Sequence, residues 1–510
     1  MKHRIVIIGS GLSALTAACR LVSRGIKDIG IYSPAFGGTP FIAAIDFVLP
    51  GIAGADSEQC YADDMMRAGF YLNDTKLVHA MVSHSAETYG FLDSLGIEFS
   101  RLDDGSLRRR HLSGSTCPRS LCSTKGLIGV DMVNKLTGYL KEHGIEIRKS
   151  CKVFALTVVD GDVHAVHFTD AAGGTFSVEA ETVIAAWGGV GNLFGRSTYP
   201  ADENGRTLAV AYEAGIKLID LEFLEYEPMV VMSPEGAVGE PCPTAMLGEG
   251  AHLLNVHNDR FLLAVRPQGE AGAPKTLINR AIWQQVSERK GSPHGGCYVD
   301  LRMIPVETLK LYPWFYNRLL QNGIDPHTSL VEVGPMAHSF SGGIQVDETC
   351  RSNMNNLYAV GEAAGGFHGA CRMAGNAASQ AAVSGLIAAD VVSDLPADTD
   401  QTKKHTCESA AYAADSRIKE KYTGRIDAAA SSLGVYRNGT DLAKAVGELE
   451  SIIATADIDR DTDTKLRAES VWLMARAALK RIESRGTHNR TDYPEQDDRQ
   501  QSSNIFCKEA

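Results

Sequence analysis

Along this chain the apolar positions switch between the spacing of strands and the spacing of helices. Ile5-Val-Ile-Ile8 is unbroken apolar sequence, as in a strand covered on both faces. It runs into Gly9-Ser-Gly-Leu-Ser-Ala14, then a helix from Leu15 to Ser23, then a second strand ending at Ile31-Tyr-Ser33. Residues 36–50 are glycine-rich and apolar and read as a loop. Helical spacing follows at about 57–68, 76–95 and 126–143. From Ile145 to Phe168 the pattern alternates like a β-meander, with turns at Asp160-Gly-Asp162 and Ala172-Gly-Gly174. Thr182-Val-Ile-Ala-Ala-Trp-Gly-Gly189 is a strand ending in glycines that returns to the first sheet. A late strand, Leu357-Tyr-Ala-Val360, ends at Gly361-Glu362 and leads through a glycine-rich turn into a long helix of small residues. Beyond 400 the chain is charged, with helical spacing at 441–453 and 465–482, and no internal repeat is visible.

The two glycine-rich turns carry the first chemical signal. A strand followed by Gly9-Ser-Gly11 and a helix N-terminus suits a pyrophosphate, because the backbone can approach closely and N–H groups point at it. Two such half-sites far apart in the sequence point to FAD rather than NAD, and no second Gly-x-Gly-x-x-Gly unit follows a strand. The cofactor residues read from the first turn are Gly9, Gly11, Leu12, Ser13 and Ala14. Ser33 replaces the acidic residue usual at the ribose. Gly38 and Thr39 in the loop, Val153 in the meander and Gly188 after the returning strand complete the first half. Gly361, Glu362, Arg372, Asn376, Ala377 and Ala378 form the second.

Composition narrows the class. The 510 residues carry 50 Lys and Arg against 62 Asp and Glu, a net charge of −12 without a basic patch, which argues against nucleic acid. No apolar run reaches the ~20 residues of a membrane span. Met1-Lys-His-Arg4 leads straight into the first strand, leaving no signal peptide, so a cytoplasmic protein is expected. The 11 cysteines are scattered, as in reduced thiols. The closest pair, Cys117 and Cys122, lacks a second pair, so neither a metal nor an iron–sulfur site is expected.

Together these segments resemble the flavoprotein of succinate dehydrogenase and fumarate reductase, and L-aspartate oxidase, over almost the whole chain. The resemblance rests on the two half-sites, Asn204-Gly205, Leu221-Glu-Phe223, and Gly248-Glu-Gly-Ala-His-Leu-Leu-Asn255 with Asp259-Arg-Phe261, which resembles the family's capping-domain hairpin. It also rests on His338 with Ser341-Gly-Gly-Ile344, His368-Gly-Ala-Cys-Arg372, and Glu483-Ser-Arg-Gly-Thr-His-Asn489 in the tail. It implies an α/β fold: a two-segment Rossmann-like FAD-binding domain (1–225 and 331–395), an inserted α+β capping domain (226–330) and a C-terminal helical domain (396–510). The reaction implied is hydride exchange between flavin N5 and a carbon beside a carboxylate. An iron–sulfur electron-transfer partner, and membrane association through it, are part of the same implication.

Against that family, Arg372 and His338 stand where groups orient a substrate carboxylate, and Lys275 after Ala-Pro stands where an arginine delivers the proton. A desolvated lysine gives up its proton more readily, so Lys275 is an acid–base candidate; an exposed lysine with that chemistry lost is the alternative. The family's Phe-His-Pro-Thr is here Tyr226-Glu227-Pro228-Met229, its Thr-Glu is Pro243-Thr244, and its next arginine is Leu247. A second substrate carboxylate would be repelled by Glu227, so the expected substrate has one carboxylate and an amine, hydroxyl or neutral far end. The histidine that carries covalent flavin in respiratory members is replaced by Gly38, so noncovalent FAD is expected. Cys371 beside Arg372 is a small buried thiol or a redox-active one. Two functions remain: an FAD-dependent oxidoreductase acting on a carboxylate-bearing molecule, or a catalytically altered flavoprotein subunit serving electron transfer or binding.

Overall fold

The computed structural model describes residues 1–49, 56–112, 114–200, 203, 205–396 and 410–508. Asn204, part of one expected motif, lies outside them.

The apolar strands assemble into a seven-stranded sheet at the centre of the main core. Lys2–Ile8 lies between Ile29–Tyr32 and Thr175–Ala185, parallel to both, with Ile5 opposite Ile29 on one side and Thr182 on the other. On its other edge Thr175–Ala185 serves two further partners. Its first half pairs antiparallel with Asp162–Thr169 in the meander, and its second half pairs parallel with Leu357–Ala359. The late strand is thereby brought beside the first, so both glycine-rich turns open at one end of the sheet. Helices Leu12–Ser23 and Asn376–Asp394 pack against each other. Gly385 is required there, because a Cβ would lie 2.4 Å from the Ser13 carbonyl oxygen.

A second core, running from Met229 to Val333, surrounds a four-stranded sheet. Its two long strands, Leu224–Val231 and Val331–Phe340, pair antiparallel and connect it to the first domain. The expected hairpin of 248–255 with 259–261 does not form. His252–Leu254 pairs instead with Cys297–Asp300, and Phe261–Ala264 turns into a short 3₁₀ helix. The helix expected over 76–95 is broken at His84 into Thr75–Ser83 and Ser85–Ser94. In the tail, Gly439–Ile453 and Thr462–Lys480 pack with Ser416–Ala430 as a helical unit. Among the described residues no helix is long and apolar enough to cross a membrane.

Candidate active site

A cleft of about 1300 Å³ runs from the glycine-rich turns to the capping sheet. At one end, Gly9 adopts φ +122°, and a Cβ there would lie 2.1 Å from the Ala186 carbonyl oxygen. Glycine is thus imposed by both backbone angle and space. The Leu12 N–H donates to Thr39 Oγ1 at 2.7 Å; otherwise the helix begins at Gly11 without a side-chain cap, and Gly11, Leu12 and Ser13 line the cleft. Gly375 starts the helix Asn376–Asp394 in the same way, with Ala377 and Ala378 at the cleft wall. Ser33, Gly38, Thr39, Val153, Gly188 and Glu362 also line it.

Three predicted cofactor residues lie behind this wall. Ala14 is fully buried in its helix. Gly361 is held by packing, since a Cβ would be 2.5 Å from Ser13 Oγ. Asn376 Oδ1 accepts from the Tyr61 hydroxyl at 2.7 Å, while its Nδ2 is buried without a partner. Two helix N-termini that open on glycine, a glycine cradle and a long cleft fit a dinucleotide with a pyrophosphate at its middle. Ser33 Oγ donates to the Ala35 carbonyl and receives the Ser10 hydroxyl, so its local bonds fix its position.

The other end is a chain of charges that sequence reasoning found only in part. Arg372 Nη2 donates to Glu225 Oε1 at 3.1 Å, Lys275 Nζ lies 3.7 Å from the same oxygen, and Lys275 donates to Glu227 Oε2 at 2.5 Å. Glu225 went unnoticed, although Glu225-x-Glu227 on a strand places both carboxylates on one face. Arg372 Nε donates to Ser339 Oγ and Nη1 to the Met373 carbonyl, which fixes the guanidinium plane. A β-bulge places His338 between the paired residues Ser339 and Ala337, with one fewer residue on the facing strand, and sends its ring into the cleft. Thr198 Oγ1 lies 2.8 Å from His338 Nδ1.

Burial and charge decide the protonation states. Burial pushes the His338 pKa down to about 4, only partly opposed by Glu227, so the ring is neutral at pH 7. Burial alone would lower the pKa of Lys275, but Glu227 and Glu225 outweigh it and hold the ammonium above its ordinary value. This corrects two expectations: Lys275 is neither exposed nor primed to lose its proton by desolvation. It also corrects the picture of Glu227 as a lone repelling carboxylate, since Lys275 neutralises it. Burial works against the charged form of Glu225, but Arg372 and Lys275 lower its pKa. The Cys371 thiol is pushed up to about 12, chiefly by burial, so it is a protonated thiol. Leu247 is buried in the capping core. His338, Glu225 and Glu227 offer donor atoms within 4.8 Å of one another, but the Lys275 ammonium already serves as their cation.

Residues missed by sequence reasoning brace this arrangement. Tyr199 donates its hydroxyl to Glu362, which also accepts the Phe340 N–H at 2.8 Å. Glu203 accepts the Gly38 N–H at 2.7 Å. His368 Nε2 lies 2.9 Å from Gln380 Oε1, and Gln380 Nε2 donates to the Gly361 and Ala364 carbonyls. Gln380 therefore ties the His368 motif to the second glycine turn.

Residues 4–378 match the FAD binding domain family, and residues 427–509 match the fumarate reductase flavoprotein C-terminal family. The chain is 30% identical to one subunit of the CoM/CoB fumarate reductase of Methanothermobacter marburgensis, over 96% of this chain and 94% of that one. It is 30% identical to the L-aspartate oxidase of Saccharolobus solfataricus, over 96% of each. A quinol fumarate reductase of E. coli shares the fold with a TM-score of 0.83 at 22% identity, covering all of this chain and 96% of that one. The glycine cradle, the cleft and these matches agree, and the chain belongs to the FAD-dependent oxidoreductase family of fumarate reductases, succinate dehydrogenases and L-aspartate oxidases, which act on CH–CH or CH–NH groups.

Proposed function

We propose that this enzyme exchanges a hydride with a small substrate carrying one carboxylate and a neutral or cationic far end, such as an amine. The observation that supports this most directly is the balanced chain Arg372–Glu225–Lys275–Glu227 beside a neutral His338. A dicarboxylate would bring two negative charges to a site whose cations are already matched. A zwitterion or monocarboxylate would not.

FAD, held noncovalently at Gly38 in this reading, supplies the two-electron centre that accepts or gives the hydride. Arg372 has five N–H donors, and three are committed to Ser339, Met373 and Glu225. One N–H on each terminal nitrogen is left to take a substrate carboxylate side by side. His338, with Thr198 at Nδ1, orients the same carboxylate through Nε2. Lys275 Nζ keeps its proton in the resting site and delivers it to substrate carbon in the reductive direction. Glu227 accepts that proton's hydrogen bond and lies 3.7 Å from His338 Nε2, so it holds both groups in place.

The Methanothermobacter relative is one subunit of its reductase, and the tail matches the fumarate reductase flavoprotein C-terminal family. Both support a reading in which the chain works beside an iron–sulfur electron-transfer partner, by which it would also reach a membrane. One observation favours the altered-subunit alternative: the four charged groups already satisfy one another. The test is to reduce the holoprotein anaerobically and add fumarate, then to offer the oxidised protein a panel of amino and hydroxy acids. Flavin that stays reduced with fumarate but is bleached by one of the acids supports the proposal. Rapid reoxidation by fumarate overturns it, and silence toward every compound and acceptor favours the altered subunit.

A further inference from the structure

Behind the wall that carries the second glycine turn lies a cluster that the reaction does not use. Cys60 and Cys117 are 57 residues apart in the chain, yet their sulfurs are 3.6 Å apart. The cysteines close in sequence, Cys117 and Cys122, are therefore not the reactive pair. Cys60 sits partly exposed in the first turn of Glu58–Ala68, its N–H accepted by Ser57 Oγ, and Cys117 is buried. The fully buried Arg119 donates to Cys60 Sγ at 3.6 Å, to Asp56 at 2.7 Å and to Asp64 at 2.7 Å. Asp56, Cys60 and Cys117 have donor atoms within 4.8 Å of one another. A metal ion there would have to displace a guanidinium that already neutralises the site. A disulfide needs only that the sulfurs close by about 1.5 Å, from contact to bond length.

The cluster touches the cofactor wall by two routes. Tyr61 follows Cys60 in the same helix; its ring lies 4.5 Å from the Arg119 guanidinium, and its hydroxyl holds Asn376, the first residue of the helix behind the cleft. Ser120, next to Arg119, donates to the buried carboxylate of Asp46. Asp46 packs against Gly375, where a Cβ would lie 2.3 Å from its oxygen, and its N–H donates to Ser379 Oγ at 2.9 Å.

We propose that Cys60 and Cys117 form a reversible disulfide whose state is felt at the flavin wall through Tyr61 and Asn376. The oxidant is a low-molecular-weight disulfide. Cys60, the more accessible sulfur, attacks one of its sulfurs and releases one thiol; Cys117 then attacks Cys60 and releases the second. The two protein thiols lose two electrons and two protons, and the small disulfide takes up both. The inference rests on FAD occupying the cleft and not on the substrate assignment.

Thiol-reduced holoprotein is equilibrated with glutathione disulfide while the visible flavin spectrum is followed without substrate, then alkylated, digested and mapped by mass. The expected result is a Cys60–Cys117 linked peptide and a displaced flavin band, both reversed by dithiothreitol. Cys117→Ser is expected to stop at a glutathione adduct on Cys60 with no linked peptide. Cys60→Ser is expected to leave Cys117 unmodified, and normal flavin content in both variants shows that they fold. Both cysteines remaining alkylatable, or thiols released only by a chelator, overturns the disulfide. A linked peptide with an unmoved flavin band overturns the coupling.

Discussion

Replacing Lys275 by methionine tests the charge chain and the proposed proton donor in one experiment. Lys275 is 22% exposed and faces two carboxylates that are 6% and 7% exposed. Removing one member of a buried ion pair costs about 3–5 kcal/mol, because the partner is left desolvated and unmatched. Glu225 keeps Arg372, so the lower end, about 3 kcal/mol, is expected. At roughly 2 °C per kcal/mol for a large domain, that is about 6 °C in a melt followed by flavin fluorescence. Turnover should fall by roughly 10²–10⁴, the usual contribution of a positioned acid. The double variant Lys275→Met with Glu227→Gln separates the two roles. It leaves no orphaned carboxylate at position 227, so most of the melting temperature should return while flavin reoxidation in stopped flow stays slow. Recovery of turnover in the double variant would refute the proton-donor role. An unchanged melt in the single variant would refute the buried pairing.

Other perturbations read different parts of the site. His338 is neutral and partly buried, with a pKa near 4 against about 6.5 unfolded, so its contribution is complete above about pH 6.5 and is lost as pH falls toward 4; denaturant melts should show that slope and His338→Gln should flatten it. Burial raises the Asp46 carboxyl to about 6, so the opposite sign holds: the folded state loses stability as pH rises from about 4 to about 6, and Asp46→Asn should remove that fall. Gly9→Ala drives a Cβ into the Ala186 carbonyl at φ +122°, and should cost about 1–3 kcal/mol and lower the flavin content. Gly25→Ala, at φ +84° with nothing within 4 Å, is the control and should keep its flavin. Glu227→His should shift kinetic preference toward fumarate or succinate; an unchanged preference would count against the single-carboxylate substrate.

Features of this fold that are local in the chain were legible in the sequence, and features made by distant contacts were not. Gly9-Ser-Gly11 and Gly361-Glu362 announce themselves because a tight turn and a close backbone approach need glycine whatever surrounds them. The alternation of the meander needs only the strand's own pleat. The failed hairpin at 248–261 shows the limit: His252–Leu254 has apolar residues suited to pairing, but nothing local says that its partner is Cys297–Asp300. The site divides in the same way. Arg372, His338 and Lys275 stand out through motifs, yet their protonation states come from groups brought in across the fold, Glu225 being 147 residues from Arg372. Desolvation taken alone gives the wrong sign for Lys275, because burial in a protein interior also shortens the distance to counter-charges. Glu225 was within reach of the sequence: once 224–231 is taken as a strand, residues two apart share a face, and a pair of carboxylates on a buried face demands a cation. Applied to Glu225-x-Glu227, that demand calls for a cation; the fold supplies Lys275, and turns a suspected repulsion into a matched pair.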